Sequence, residues 1–248
     1  MSGLGKAVAI VPVRVSSQRL PGKALLASSG KPLFVHTCEQ AMQAACFDAV
    51  YVATDSDDVA KAAGDHNIPI VLTTEHPRTG SERCAEALAK VDAEFIVDVQ
   101  GDWPEIDPHD LEQLVEALAK EPTICATLAA PLADDQKAKD PNVVKVVRSI
   151  DGDALYFSRA AIPHSKEHGA ERLRHIGVYG FNRQTLLRIP GLPSSGLAET
   201  EGLEQLKFLE NGIPIRVLIA QSDPWGIETR ADYDALLERL SQRAPPRS

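Results

Sequence analysis

Four cysteines among 248 residues, with no CxxC pair and no histidine at zinc-finger spacing, exclude a disulfide framework and a structural zinc site. Cys38, Cys46, Cys84 and Cys125 lie far apart and read as reduced thiols packed like small hydrophobes. Basic residues are also scarce, since 26 Lys and Arg stand against 35 Asp and Glu, for a net charge of -9 and a pI near 5.3. That balance lacks the positive field that non-specific attraction to a phosphate backbone requires, and no basic tail or stripe supplies it locally, so nucleic acid is excluded as the expected partner. No apolar run approaches the ~18 residues of a membrane helix. The N-terminal MSGLGKAVAIVPV leads straight into a charged loop, without the apolar core and cleavage site of a secretory signal. The expected location is the cytoplasm, with no membrane partner. Internal repeats, low-complexity segments and a linker-like composition are missing too, so the expectation is one domain over 1–241 and a disordered tail over 242–248.

What the chain does have is alternation. AVAIVPV (7–13) predicts a buried strand, and PLFVHTCEQAMQAA (32–45) a helix with Pro32 in its first turn. AVYVATD (49–55), a helix near 56–64, IPIVLT (68–73), a helix at SERCAEALAKV and EFIVDVQ (94–100) continue the pattern. Such β-α-β alternation implies an α/β fold with a mostly parallel sheet covered by helices on both faces. TICATLAAPL, NVVKVVRSI and ALYFSRA, joined by turn residues such as Asp151-Gly152-Asp153, predict an antiparallel arm inserted at about 124–180. LAETEGLEQLKFLENG predicts a helix ending at a left-handed cap on Asn211-Gly212, IPIRVLIA a late strand, and TRADYDALLERL a closing helix with Thr229 as N-cap.

One stretch departs from the acidic average. VPVRVSSQRLPGKAL (11–25) carries Arg14, Arg19 and Lys23, and residues 7–38 contain no carboxylate. In an open parallel sheet, ligands gather at the carboxyl ends of the strands, where this loop leaves the first one. Pro21 and Gly22 shape a turn, Ser16 and Ser17 offer hydroxyls, and the three cations can neutralise a polyphosphate with charge-assisted bonds.

The same stretch resembles the N-terminal signature of 3-deoxy-manno-octulosonate (Kdo) cytidylyltransferases, roughly IPAR-x-x-S-x-RLPGKPL. ATDSDDVA, LTTEHPRTGSERCAEA, VDVQGDWPEI, PNVVKVV, ALYFSRAAIP, RHIGVYGF and LEQLKFLENG match that family in order, over about residues 7–240. LPGK, QGD and YFSRAxIP set the chain apart from the sialate cytidylyltransferases, whose loop usually reads RGGSKRIP.

The resemblance implies a three-layer α/β/α nucleotide-diphospho-sugar transferase-like (Rossmann-like) fold. It also implies transfer of CMP from CTP to Kdo with Mg2+ as cofactor and pyrophosphate as product, for lipopolysaccharide-type glycans, by a homodimer that pairs through the middle region. It assigns Arg14, Ser17, Arg19 and Lys23 to the CTP phosphates and nearby base, joined at the nucleotide by Ser81, Arg83 and Gln100. Lys23, Arg19 and Asp102 then carry the catalysis. TGSER (79–83) opens a helix that Ser81 can cap. Asp102, at a tight turn beyond a buried strand, is the expected metal ligand, because magnesium takes few oxygens from protein and the rest from phosphate and water. For the sugar acid, Arg159 offers a planar fork to a carboxylate. His175 and Tyr179, four apart on a strand, share one side. Glu204 and Gln205 are assigned to the sugar hydroxyls.

Two residues depart from the family pattern. Glu228, in GIETRADY, takes the place of a second metal carboxylate that is usually the aspartate of a GVDT-type motif, so its longer side chain must fold back or the metal must move. Trp103 stands in QGDWP where the family commonly has QGDEP, which removes a carboxylate and adds a flat apolar surface; repacking beside the metal site is the expected result. The rival enzyme is a cytidylyltransferase for a related sugar acid, such as 8-amino-Kdo or a nonulosonic acid. A non-catalytic nucleotide-binding homologue is the rival of another class, marked by loss of the phosphate cations or Asp102, and neither is lost.

Overall fold

The Val- and Ile-rich run near the N-terminus forms β1 (Ala7–Pro12), every residue of which is buried. Alternate residues serve opposite faces of the sheet, as the two-residue period of a strand requires. Val8 and Ile10 face one helical layer, and Ala9 and Val11 face the other. In the computed structural model, which describes residues 5–15, 17, 19–121, 125–164, 166 and 171–243, this strand is the middle of a parallel set.

The helix α1 (Leu33–Gln43) leads from β1 to β2 (Ala49–Thr54), and α2 (Asp57–Asp65) from β2 to β3 (Ile70–Leu72). The helix α3 (Gly80–Ala87) leads on to β4 (Phe95–Val99). β2 and β4 flank β1, and β3 flanks β2, all in parallel. Then follow α4 (Pro108–Lys120), β5 (Cys125–Leu132), α5 (Asp135–Lys139), β6 (Lys145–Arg148), β7 (Ala154–Ser158) and β8 (Arg172–Asn182). The chain continues through α6 (Arg183–Arg188), α7 (Gly196–Glu201), α8 (Glu204–Glu210), β9 (Ile215–Ile219) and α9 (Arg230–Arg243). The sheet order is β3-β2-β1-β4-β8-β5-β9. Phe34 and Cys38 of α1 with Leu111, Leu114 and Leu118 of α4 fill one face; Cys84 of α3, Phe208 of α8 and Phe181 fill the other. These are the three expected layers.

β8 is antiparallel to both of its neighbours, and β9 is parallel to β5. The carboxyl ends of β1, β4 and β5 therefore share one edge with the start of β8. The arm is smaller than the expected 124–180. β5 and β8 lie inside the main sheet because their residues are buried almost throughout, and only the β6–β7 hairpin branches off, turning at Gly152 with φ 93°. The predicted ends hold elsewhere: Gly212 is left-handed at φ 72°, and Thr229 Oγ1 accepts from Asp232 N at 3.2 Å to cap α9. That helix runs two residues into the expected tail, and 244–248, like Ser16, lie outside the described residues. Among the described residues no helix is long and apolar enough to cross a membrane.

Candidate active site

Beyond β1 the chain turns at Gly22, whose φ of 66° is open to a residue without a Cβ, and Lys23 starts a single 3-10 turn through Leu25. This loop and the turn after β4 enclose a cavity of about 350 Å³ that Arg14, Ser17, Arg19, Lys23, Gln100, Asp102 and Glu228 line. Lys23 Nζ stands 2.5 Å from Asp102 Oδ2, 3.8 Å from Glu228 Oε2, and donates to Ile227 O at 3.0 Å. Arg19 pairs with Glu228 at 2.8 Å and donates to Asn142 Oδ1 at 2.9 Å, while Arg14 donates to Arg78 O at 2.7 Å. Ile227 N donates to Asp102 O at 2.9 Å, which ties the loop before α9 to the β4 turn. Seven of the nine residues expected at the nucleotide and the metal thus meet here, and Ser81 and Arg83 do not line this cavity.

Glu228 pairs with Arg19 and lies within 3.8 Å of the Lys23 ammonium, which Asp102 also approaches. Two hard oxygen donors converging on one cationic point suit magnesium, which takes one or two carboxylates and completes its shell with phosphate and water. No group of three or more His, Cys, Asp or Glu among the described residues offers a fuller cage. Trp103 does not enter the cavity. It is 9% exposed and packs in the core layer with Ile176 and Val178, against Gly177 and Gly226.

A second cavity of about 500 Å³ adjoins the first, and Arg14 and Gln100 line both. Thr79, Gly80, Glu82, Glu204 and Lys207 also border it. The cap of α3 is Thr79, whose Oγ1 accepts from Glu82 N at 3.2 Å, and not Ser81. Ser81 lies inside the helix, where its fully buried hydroxyl turns to the sheet and donates to Asp98 Oδ2 at 3.1 Å. The other oxygen of Asp98 accepts from Gln100 Nε2 at 2.6 Å. Gly80 leaves the space for that amide: a Cβ there would lie 2.1 Å from Gln100 Nε2. Burial, and then the nearby charge of Glu204, push the Asp98 carboxyl up to about 8. Burial also pushes Glu204 up to about 7, and the Thr79 hydroxyl donates to it.

Arg83 does not reach either cavity. One turn into α3 it is 1% exposed, pairs with Asp55 at 3.2 Å and donates to Thr74 O at 3.3 Å, so its guanidinium ties α3 to the ends of β2 and β3. Arg159 is likewise engaged. Its fork donates to Glu201 O at 2.7 Å, Pro141 O at 2.8 Å and Gly202 O at 3.2 Å, and it is these carbonyls, rather than an open pocket, that meet the group expected to hold a carboxylate. His175 and Tyr179 do share one side, with ring centroids 5.5 Å apart, but they are 8% and 6% exposed and border neither cavity. Gln205 is buried beside Leu206 at the start of α8.

Two residues of this site escaped the sequence reading. Asp98 was detectable as a lone carboxylate inside the apolar run FIVDV, and Thr79 as the first residue of T-G-S-E, the spacing of a capping box.

The profile of the cytidylyltransferase family matches residues 8–217. The curated 3-deoxy-manno-octulosonate cytidylyltransferase of Chlorobium limicola is 42% identical over 97% of this chain and 99% of its own length. The chain belongs to the 3-deoxy-manno-octulosonate cytidylyltransferase family. Its relative of that name in Syntrophotalea carbinolica is also 42% identical, over 90% of this chain and 94% of its own. Within the same family, a solved CMP:2-keto-3-deoxy-manno-octonic acid synthetase complexed with CTP superposes at a TM-score of 0.91 with 36% identity, covering 96% of this chain and 100% of that one. The likeness to a 4-diphosphocytidyl-2C-methyl-D-erythritol synthase of Anaerococcus prevotii, 14% identical at a TM-score of 0.62 over 96% of each chain, is one of fold. This member of the Kdo cytidylyltransferase family is thus an enzyme of the nucleotidyltransferase class.

Proposed function

We propose that the chain joins CMP from CTP to the anomeric oxygen of Kdo, releasing pyrophosphate, as a cytoplasmic homodimer whose product feeds lipopolysaccharide-type glycans. The observation that carries this reading is the meeting of Arg14, Arg19 and Lys23 with Asp102 and Glu228 at the carboxyl edge of the sheet, in a chain similar over its length to a synthetase complexed with CTP.

In this reading the sugar hydroxyl attacks the α-phosphorus in line. A bond forms from the anomeric oxygen to phosphorus, the bond to the bridging oxygen breaks, pyrophosphate leaves, and the hydroxyl proton passes to water. Lys23, Arg14 and Arg19 hold the β- and γ-phosphates and neutralise the charge that gathers on the leaving group. Asp102 and Glu228 would hold magnesium, which when bound neutralises phosphate oxygens and polarises the reacting centre. Gln100 and Arg14, at the seam between the cavities, orient both substrates. Glu204 borders the sugar side, Gln205, His175 and Tyr179 support it from the buried layer, and Arg159 ties the α7–α8 corner, through the carbonyls of Glu201 and Gly202, to that of Pro141.

The test is pyrophosphate release from purified protein with CTP and magnesium, given Kdo, 8-amino-Kdo or a sialic acid in parallel. Release with Kdo that falls at least about 100-fold in Asp102→Asn supports the reading. Release with another acid alone moves the substrate, and release with none of them overturns it.

A further inference from the structure

The segment PNVVKVV lines neither cavity, yet it carries the one fully buried lysine among the described residues. Lys145 Nζ donates to Val143 O at 2.5 Å, Arg159 O at 2.6 Å and Asp140 O at 3.0 Å, which engages all three of its protons on carbonyls. A charge taken out of water without a counter-ion is costly, so its place here calls for a return in geometry. Arg159 supplies the missing contact, since its Nη1 donates to Pro141 O at 2.8 Å. The carbonyls of residues 140, 141 and 143 are therefore each held by a cation. Between them, the exposed Asn142 reaches the open cavity, where its Oδ1 accepts from Arg19 Nη1 at 2.9 Å.

The Asn142 amide has one orientation. Its backbone N–H and its Nδ2 both donate to Asp140 Oδ1, at 2.8 and 3.0 Å. A carboxylate can only accept and a guanidinium can only donate, so the amide oxygen is the atom that faces Arg19. Arg19 is then held on two sides, by this neutral oxygen at Nη1 and by Glu228 at Nη2, 2.8 Å away. The two holds differ in charge. An amide oxygen orients the guanidinium and leaves its charge for a phosphate, whereas a carboxylate offsets that charge.

We propose that Asn142 is a positioning residue for Arg19: the Lys145–Arg159 clamp presents its amide oxygen, which anchors one nitrogen of the guanidinium and leaves the other to a phosphate. The phosphate rests on the function proposed above; the anchor does not. Because Arg159 also holds Glu201 O and Gly202 O, the anchor shares its support with the α7–α8 corner that borders the second cavity.

The test joins a spectrum to a kinetic cycle on the whole chain. In a 1H–15N spectrum of protein labelled at arginine, the Arg19 signals are assigned by their loss in Arg19→Lys. Separate resonances for the Nη1 and Nη2 protons are expected in wild type and in Glu228→Gln, and merged ones in Asn142→Ala and Lys145→Met. Asn142→Ala, an exposed change that should move Tm by less than about 2 °C, is expected to lower kcat/KM for CTP about tenfold. Arg19→Met should lower it about a hundredfold and the double variant no further, because an anchor with nothing to hold has no effect. Asn142→Asp should keep the separate resonances and still raise KM for CTP at least about threefold. Losses that multiply in the double variant overturn the proposal, as do unchanged Arg19 resonances in Asn142→Ala or a wild-type KM in Asn142→Asp. If Lys145→Met does not fold, Asn142→Ala still decides. Should the wild-type protein release no pyrophosphate with any of the acids, the proposed function fails, and the Asn142→Ala spectrum alone upholds or overturns the anchor.

Discussion

Lys23 and Asp102 meet at 2.5 Å with side chains 17% and 20% exposed, whereas Ser81 and Asp98, at 3.1 Å, are both fully buried. Arg19 and Glu228, at 47% and 41%, extend the first pattern; His175, Tyr179 and Gln205 extend the second. Ion pairs in contact with water contribute little to stability and re-pair easily. Phosphates can therefore take over the cations of the open end without unfolding anything. Buried polar groups are costly to leave unpaired, so the inner end holds its geometry before any ligand arrives. One end of the site exchanges partners and the other end is built in advance.

That contrast can be broken most directly at the open end. Lys23→Met should lower kcat/KM about a thousandfold, on the order of 4 kcal/mol of transition-state stabilisation, while Tm moves by less than about 2 °C. A comparable loss of Tm would make the open end structural after all. The opposite profile is expected at Trp103. Trp103→Ala should cost about 3 kcal/mol and lower Tm by roughly 9 °C, and Trp103→Glu, which restores the residue common in the family, should cost no less because it buries a carboxylate among Ile176, Val178 and their neighbours. Thermal unfolding of the two variants reads this.

Glu228 offers a finer test of the exposed carboxylates. Glu228→Gln should reduce kcat/KM about tenfold, and Glu228→Asp should stay within about threefold, because the charge is retained in a cavity open enough to adjust. Equal losses in both would show that length matters as much as charge. The smallest effect concerns Asp98. Its value of about 8 lies far above that of an ordinary carboxyl, so between about pH 4 and 8 the folded chain keeps a proton that the unfolded chain has released. Stability should fall as pH rises through that window, with Glu204, at about 7, acting in the same direction. Asp98→Asn should therefore gain on wild type between pH 5 and pH 6 by on the order of 1 kcal/mol, or about 3 °C. An equal Tm difference at both pH values would mean that Asp98 is ionised throughout.

Much of this was legible because it is local. The two-residue period of AVAIVPV, the turn at Pro21-Gly22 and the absence of carboxylates over 7–38 were enough to place a cationic loop at the end of a strand. The spacing of His175 and Tyr179 put them on one side even across an irregular ladder, since two unpaired residues leave the two-residue period intact. What failed to show is non-local. Nothing within RHIGVYGF says that it inserts antiparallel between β4 and β5, and that insertion is what turns an expected arm into central sheet. Arg83 and Arg159 have the same chemistry as Arg14, and only their neighbours, Asp55 for one and three carbonyls for the other, remove them from the cavities.

The chain has two tryptophans, and each lies close in sequence to a carboxylate of the open end. Trp103 adjoins Asp102, and Trp225, three residues before Glu228, lies with the Lys137 ammonium and the Arg174 guanidinium each 4.2 Å from its ring centroid. Intrinsic fluorescence is thus a native optical probe of that cavity, with one indole in a dry setting and the other beside fixed cations. Trp225→Phe leaves a single emitter at Trp103, so nucleotide arrival at Asp102 can be timed by stopped flow in a protein that carries no dye.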